Sequence, residues 1–287
     1  MTSKGAVVIT GTSTGIGKAC ALTLDKAGFQ VFAGVRKETD ATTIKQDASE
    51  RLTPIMIDVT DQQSIETAAK TVENAVGEAG IKGLVNNAGM PSGGMIEFVP
   101  IEDVRKILEV NVVGQIAVSQ AFIPLLRKAK GRIVNMGSVA GRFSGPFMGT
   151  YAASKFAFEA ITDSLRVELQ SWGIFVTIIE PGAIATPIWD KAKSNADRMD
   201  SKVPDDAKVL YGTAITSMRK AVDRVSSEAI STDYVAQAVL HALTSARPKT
   251  RYLVGKDARV QAAIAKLLPD RLRDKLITRL LRLPKRI

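Results

Sequence analysis

Two periodicities alternate along this chain. Short apolar, β-branched runs with no polar face occur at Ala6–Thr10, Gln30–Val35, Pro54–Asp58, Gly83–Asn87, Gly131–Met136, Ile174–Ile179 and Arg251–Val254. Runs of this length that are apolar on both sides read as strands of a parallel sheet covered on both faces. Between them fall stretches with helical spacing: Ile16–Ala27, stopped by Gly28; Asp61–Glu78; Ile101–Lys128, with a bend or break near Gly114; and Gly149–Gln170. Alternation of this kind predicts an α/β fold, a doubly wound parallel sheet of about seven strands with helices on both faces. The rhythm fails from Ala183 to Ser231, which is polar, carries scattered Trp189, Met199, Tyr211 and Met218, and shows no clear strand. A long insertion after the C-terminal end of a strand fits a lid or substrate loop. The division expected is one domain over 1–256, including the 183–231 insertion, and a basic helical extension over 257–287.

Composition narrows this picture only a little. The 287 residues are 45% hydrophobic and 24% charged, within the range of globular proteins that build a core without metal or disulfide support. Cys20 is the one cysteine, so no intrachain disulfide forms. With no signal-peptide pattern and no uninterrupted apolar run of spanning length, this predicts a cytoplasmic setting. The net charge of +10 is not evenly spread: Arg247–Arg286 holds thirteen Lys and Arg against three Asp and Glu, so the preceding chain is near neutral. The excess belongs to the C-terminus and is no nucleic-acid signature of the whole domain.

The candidate chemistry sits at strand ends. Gly11, Gly15 and Gly17 occupy the turn between the first strand and the first helix, spaced G-x-x-x-G-x-G. Glycines there let backbone approach a pyrophosphate, whose charge the helix N-terminus favours; a turn with no ligand is the alternative. The end of the second strand should meet the adenosine ribose. A carboxylate there would hold the 2′-hydroxyl of NAD, but this chain has Arg36 and Lys37, and arginine pairs well with a phosphate. The pattern favours NADP over NAD. Tyr151 and Lys155 are four apart in a helical stretch and share a face. A tyrosine hydroxyl titrates near ~10, and a neighbouring ammonium lowers that value toward use as an acid/base. Ser138, at the end of the fifth strand, can bond and orient a reacting oxygen. Asn111 stands mid-helix, where asparagine is disfavoured; it fits either a satisfied core amide or a water path. Taken in order, these segments describe a nicotinamide-dependent oxidoreductase. His241 and Cys20 lie in apolar helical contexts and read as structural, with no metal-ligand spacing around either.

These residues carry a resemblance. Thr10-Gly11, Gly15-Ile16-Gly17, Asp58, Asn86-Asn87-Ala88-Gly89, Asn111, Ser138, Tyr151, Lys155 and Pro181-Gly182 with Thr186 resemble the short-chain dehydrogenase/reductase family, over nearly the whole span from Ala6 to Val254. The resemblance implies a Rossmann-type fold and an Asn111-Ser138-Tyr151-Lys155 tetrad. It implies that Asp58 contacts adenine, Asn87 supports the cofactor wall, Lys155 also binds the nicotinamide ribose, Pro181 to Thr186 hold the carboxamide end, and Asn111 holds a relay water. Ser13, Thr14, Ile16, Val59, Ala88, Gly89 and Ile184 complete the implied cofactor contacts. A homodimer or homotetramer through the long helices is implied too. Tyr151–Glu159, Asp163–Leu169 and Ile179–Gly182 are similar to the hydroxysteroid and retinol dehydrogenase branch, which acts on bulky apolar alcohols and carbonyls. Two alternatives remain open: a reductase of acyl-carrier-linked β-keto substrates, and a non-catalytic NADP-binding or membrane-docked module.

In the tail, Leu272, Leu276 and Leu280, with Ile277 and Leu281, line one helix face, and Arg271, Arg273, Lys275, Arg279 and Arg282 fill the other. The first reading is a helix packed on its own domain or on a partner subunit. The second is a peripheral contact of 270–283 with an anionic membrane surface.

Overall fold

The computed structural model describes residues 4–190, 192–194, 205–281 and 283. Seven strands form one all-parallel sheet in the order β3-β2-β1-β4-β5-β6-β7. They are β1 (Ala6–Ile9), β2 (Gln30–Val35), β3 (Leu52–Met56), β4 (Ile81–Asn86), β5 (Arg132–Met136), β6 (Phe175–Pro181) and β7 (Arg251–Val254). The order reverses between β1 and β4. This opens a crevice at the C-terminal ends of the strands, where open α/β sheets take their ligands.

The strand period of two divides the core. Val7, Ile9, Val31 and Val134 pack on one face against Cys20, Ala21 and Leu24 of α1 (Gly15–Lys26), Ile44 of α2 (Glu38–Gln46) and Val235 and Val239 of α8 (Asp233–Thr244). Val8, Phe32, Leu84 and Ile133 face the other way. They meet Ile65 and Val72 of α3 (Gln62–Val76) and Val118, Phe122 and Leu126 of α5 (Gly114–Ala129), with Leu165 of α6 (Gly149–Glu168) beside them.

The predicted break in the long central helix is a π-helical turn, Glu109–Val113, between α4 (Ile101–Leu108) and α5. Gly114 is required there, because a Cβ would run into the carbonyl of Val59. The continuous helical span Ile101–Ala129, π-turn included, is by length and composition apolar enough to cross a membrane; here its apolar face covers β4 and α3.

Strand ends shift by up to two residues, β4 beginning at Ile81 and β6 ending at Pro181, and four further differences from the sequence reading bear on the architecture. α2 was not predicted: Glu38–Gln46 buries only Ile44, so it has no apolar stripe to read. β3 lies two residues earlier than expected, and it is an edge strand, where Pro54 sacrifices no ladder bond on the open side. The 183–231 insertion, expected as a loop, is largely helical: α7 spans Asp205–Ser227. Met199 lies outside the described residues, as do 195–204 generally. The C-terminal extension is two helices separated at Pro269. α9 (Lys256–Leu267) buries Ala258 and Ala262 against Val139 and Leu253, whereas α10 (Asp270–Leu280) has no buried residue. Leu272 and Leu280 are exposed and Leu276, Ile277 and Leu281 half-buried, so the expected packing of this helix on its own domain is at most partial. Arg282 lies outside the described residues.

Candidate active site

The crevice is floored by the turn that joins β1 to α1. Gly11 and Gly15 have φ of +70° and +58°, the left-handed region that glycine tolerates. The turn is held from the next strand over. Asn87 Nδ2 donates to the carbonyls of Thr10 (2.9 Å) and Gly11 (3.0 Å), and Thr10 Oγ1 accepts from the backbone N–H groups of Asn87 and Ala88, each at 3.0 Å. Gly17 packs so closely that a Cβ would strike the Gly11 carbonyl and the Asn87 amide. Ser13, Thr14 and Ile16 lie on this turn and on the first turn of α1. A cradle lined by glycine and backed by a helix N-terminus fits a pyrophosphate.

Arg36 and Lys37 follow β2 and are exposed, Lys37 as the residue capping α2. Arg36 Nη1 lies 3.9 Å from Asp58 Oδ2. Asp58 Oδ1 accepts from the Thr60 N–H (2.9 Å) and hydroxyl (2.7 Å). Partial burial pushes the Asp58 carboxyl up, but the two Thr60 hydrogen bonds and the Arg36 charge outweigh it and hold it below the usual value. Val59, buried just beyond β3, walls this side.

Asn111 lies in the π-helical turn, 1% exposed. Its Oδ1 accepts from the Met90 N–H (2.9 Å), and its Nδ2 donates to the Met90 carbonyl and the Ser154 hydroxyl, both at 3.1 Å. The amide therefore pins the chain just after Gly89. At Gly89 a Cβ would stand 3.4 Å from Asn111 Oδ1 and 4.0 Å from Lys155 Nζ, so the two side chains converge there.

Ser138 caps a short 3₁₀ turn, accepting from Ala140 N at 3.1 Å, and its hydroxyl stands near enough to Tyr151 to act on the tyrosine's ionisation. Burial pushes the Tyr151 hydroxyl above its ordinary pKa, and the neighbouring Ser138 hydroxyl pulls it partly back. Lys155 is not what lowers it here: its ammonium donates to the Met136 carbonyl (2.8 Å) and lies 5.8 Å from the Tyr151 ring centroid. Burial draws Lys155 down to about 8, against an opposing pull from Glu159.

Pro181 ends β6. Gly182 leaves no room for a Cβ beside Asp257, whose carboxylate accepts from Ala183 N at 2.7 Å. Ile184 is buried and bridges Ile230, and the Thr186 side chain lies against Gly15. The strap after β6 therefore folds back over the glycine turn.

Sequence reasoning missed four supports. Gln115 donates to the carbonyls of Ala88 (2.8 Å) and Val110 (2.9 Å), bracing the π-turn. Asn135 receives a bond from Asn86 and gives one to Thr162, tying β4 to β5 and α6. Asp257 holds the strap, and a buried Glu159–Glu180 pair lies behind Lys155. A polar residue inside an apolar strand, as Asn135 is, was the only one of these signals visible beforehand. His241, exposed on α8, and Tyr252 bond to each other at 2.7 Å, whereas Cys20 is buried in the core with its thiol pushed up to about 12. Among the described residues, no cluster of His, Cys, Asp and Glu is placed to hold a metal.

Residues 5–197 match the family described as short chain dehydrogenase. The chain is 38% identical to retinol dehydrogenase 5 of Mus musculus, over 97% of this chain and 89% of that one. It is 38% identical to 17-beta-hydroxysteroid dehydrogenase type 6 of Bos taurus (95% and 87%), and 36% identical to an NADPH-dependent 3-dehydrocapnine reductase of Ornithobacterium rhinotracheale (94% of each). Among solved structures, a short chain dehydrogenase of Burkholderia cenocepacia in complex with NADP superimposes with a TM-score of 0.71 at 25% identity, covering 98% of this chain and 99% of that one.

Proposed function

The chain belongs to the short-chain dehydrogenase family, and from that premise we propose an NADP(H)-dependent oxidoreductase of bulky apolar alcohols and their ketones or aldehydes. Alcohol–carbonyl interconversion follows from the family and from the relatives of the retinol and hydroxysteroid branch. One observation carries the mechanism: Ser138 acts on the ionisation of the buried Tyr151, the Lys155 ammonium lies 5.8 Å from the Tyr151 ring, and Lys155 and Asn111 converge on Gly89. A bound nicotinamide would exchange a hydride with the substrate carbon. Tyr151 gives or takes the hydroxyl proton, Ser138 holds the reacting oxygen, and Lys155, bonded to the Met136 carbonyl in the cofactor-free site, would favour the tyrosinate once its ammonium turns from that carbonyl toward the reacting groups. Asn111 anchors the wall beside them and sustains the proton path.

Gly11, Ser13, Thr14, Gly15, Ile16 and Gly17 would hold the pyrophosphate. Asp58, Val59, Asn87, Ala88 and Gly89 would line the adenine and ribose side, and Pro181, Gly182, Ile184 and Thr186 the carboxamide side. The NADP preference rests on Arg36 and Lys37 and is supported by the NADPH-dependent relative. The apolar substrate class is supported by an apolar cluster of Met95, Phe98, Phe147, Tyr211 and Ile215, formed where α7 meets the segments before α4 and α6. Exposed Ile101, Val113 and Phe156, on α4, the π-turn and α6, support a homo-oligomer. Exposed Leu272 and Leu280 beside Arg271 and Lys275 support peripheral contact with anionic lipid.

The test is fluorescence titration with NADPH and NADH, then NADPH-driven reduction of retinoid, steroid and carrier-linked ketones, each with the wild type and Tyr151→Phe. We expect tighter NADPH binding, and turnover of the apolar carbonyls that Tyr151→Phe removes without weakening cofactor binding. Turnover that survives Tyr151→Phe would overturn the mechanism, and binding of neither nucleotide would overturn the redox reading.

A further inference from the structure

Behind the candidate site lies a buried charge cluster that the mechanism above does not use. Glu159 is 8% exposed and Glu180 fully buried. Glu180, at the end of β6, is paired with Arg142, whose Nε is 2.6 Å from its Oε2. Arg251 of β7 bridges both carboxylates, its Nε lying 3.2 Å from Glu159 Oε2 and 3.4 Å from Glu180 Oε1. Arg251 Nη2 also reaches Asp163, which Arg166 holds from the same helix. Glu159 Oε1 has no hydrogen-bond partner, although it is buried. α9 reaches this region through Ala258 and Ala262, packed on Val139. The charged groups around Glu159 are thus Lys155, Asp163 and Arg166 on α6, Arg142 after the Ser138 turn, Glu180 on β6 and Arg251 on β7.

The placement of these groups is informative. Arg142 ends the short turn that Ser138 begins, Glu180 immediately precedes Pro181-Gly182, and Glu159 sits one helical turn beyond Lys155. At Gly141 a Cβ would stand 3.0 Å from both Glu159 Cγ and the Lys155 carbonyl, so these segments are in direct packing contact. A core that merely needed filling would be served better by apolar residues, since burying a bridged charge set brings little net stability.

We propose that Glu159 is a positioning residue for the reaction, its buried carboxylate keeping the Lys155 side chain charged while the arginine bridges to Glu180 hold the segments of Ser138, Lys155 and Pro181 in register. For its functional meaning this rests on the oxidoreductase reading, but the charge coupling itself does not. Burial and the neighbouring Glu180 push Glu159 upward, more than Arg251 and Arg142 pull it back, so its ionisation is sensitive to this cluster. Its negative charge in turn raises Lys155 against the effect of burial.

The deciding experiment follows lysine Cε resonances of the cofactor-free protein against pH, with the Lys155 signal identified by its loss in Lys155→Met. Glu159→Gln should lower the Lys155 midpoint by half a unit or more, and Glu159→Asp should restore part of that shift. Arg251→Gln, which leaves Glu159 protonated to higher pH, should move Lys155 in the same direction and serves if Glu159→Gln does not fold. In turnover, the alkaline limb of the pH profile should move down with the same variants, whereas a purely structural defect would lower the rate at every pH. An unmoved Lys155 midpoint in the variants that fold overturns the proposal. A moved midpoint in a protein that turns over no carbonyl would overturn the oxidoreductase reading and leave the coupling standing.

Discussion

The side-chain amide of Asn111 closes a two-bond ring with the backbone of Met90, accepting from its N–H at 2.9 Å and donating to its carbonyl at 3.1 Å. The ring joins the π-helical turn to the segment that follows Gly89, so one buried residue fixes two walls of the crevice.

Asn111→Ala should therefore cost stability as well as activity. It leaves a backbone donor and acceptor of the half-buried Met90 without their buried partner, a loss of about 2 kcal/mol. Urea denaturation of the cofactor-free protein should show this as a lower midpoint with an unchanged slope. Turnover should fall with it, because Gly89 and Lys155 lose their shared reference. A midpoint equal to that of the wild type would show that the ring is incidental.

Lys155 should weigh against stability in the cofactor-free state. Burial draws its ammonium from 10.5 down to about 8. An amine whose folded value lies below its unfolded one binds fewer protons when folded. The penalty is therefore full below about pH 8 and fades as pH rises toward 10.5. Lys155→Met should accordingly stabilise the cofactor-free chain at pH 7, by roughly 3 kcal/mol from the relieved shift. About 1 kcal/mol of this is offset by losing the bond to the Met136 carbonyl. The difference between variant and wild type should shrink above pH 8, which thermal melts at pH 7 and pH 9.5 would measure. A variant less stable at both values would show that the ammonium is well solvated through the crevice.

Much of this site was legible in the sequence because its residues sit where glycines, strand ends and helix spacing are local signals. Gly11, Gly15 and Gly17 mark their own turn, and Tyr151 and Lys155 announce one helix face by their spacing. What was not legible depends on contacts between distant segments. Asp257 reaches Ala183 across 74 positions and Arg251 reaches Glu159 across 92, and no periodicity encodes either pairing. α2 escaped because a helix that buries one residue has no stripe. α7 escaped because its exposed apolar residues, such as Leu210 and Val225, blur the face that a buried helix would show.

Arg36→Ala should separate the two nucleotides. Arg36 is 71% exposed at the side chain, with only a 3.9 Å approach to Asp58, so removing it should barely change the fold. If it meets a 2′-phosphate, NADPH affinity should fall by about tenfold to a hundredfold, the loss of one charge-assisted contact of ~1.5–3 kcal/mol, while NADH affinity stays level. Parallel calorimetric titrations would decide this. Equal losses for both nucleotides would place Arg36 on the adenine or the shared phosphates instead.

Tyr211 should govern the substrate and leave the cofactor untouched. It projects from α7 between Phe98 and Phe147, with ring centroids 6.0 and 6.5 Å away in edge-to-face geometry, and its hydroxyl donates to Glu97 at 2.7 Å. Phe147 holds a φ of +63°, a left-handed conformation unusual for a bulky side chain, while its carbonyl accepts from Gly94 N at 2.7 Å. Three segments are thus fastened together through one tyrosine, whose ring belongs to the cluster proposed above to receive an apolar substrate. Tyr211→Ala removes two edge-to-face aromatic contacts and releases α7 from Glu97. KM for a bulky apolar carbonyl should rise several-fold to tenfold, with NADPH affinity and the kcat of a small ketone unchanged. Tyr211→Phe keeps the ring but not the bond to Glu97. If the ring matters, it should recover most of the KM; if the latch matters, it should behave like the alanine variant. A KM unchanged in both would place substrate recognition elsewhere than on α7.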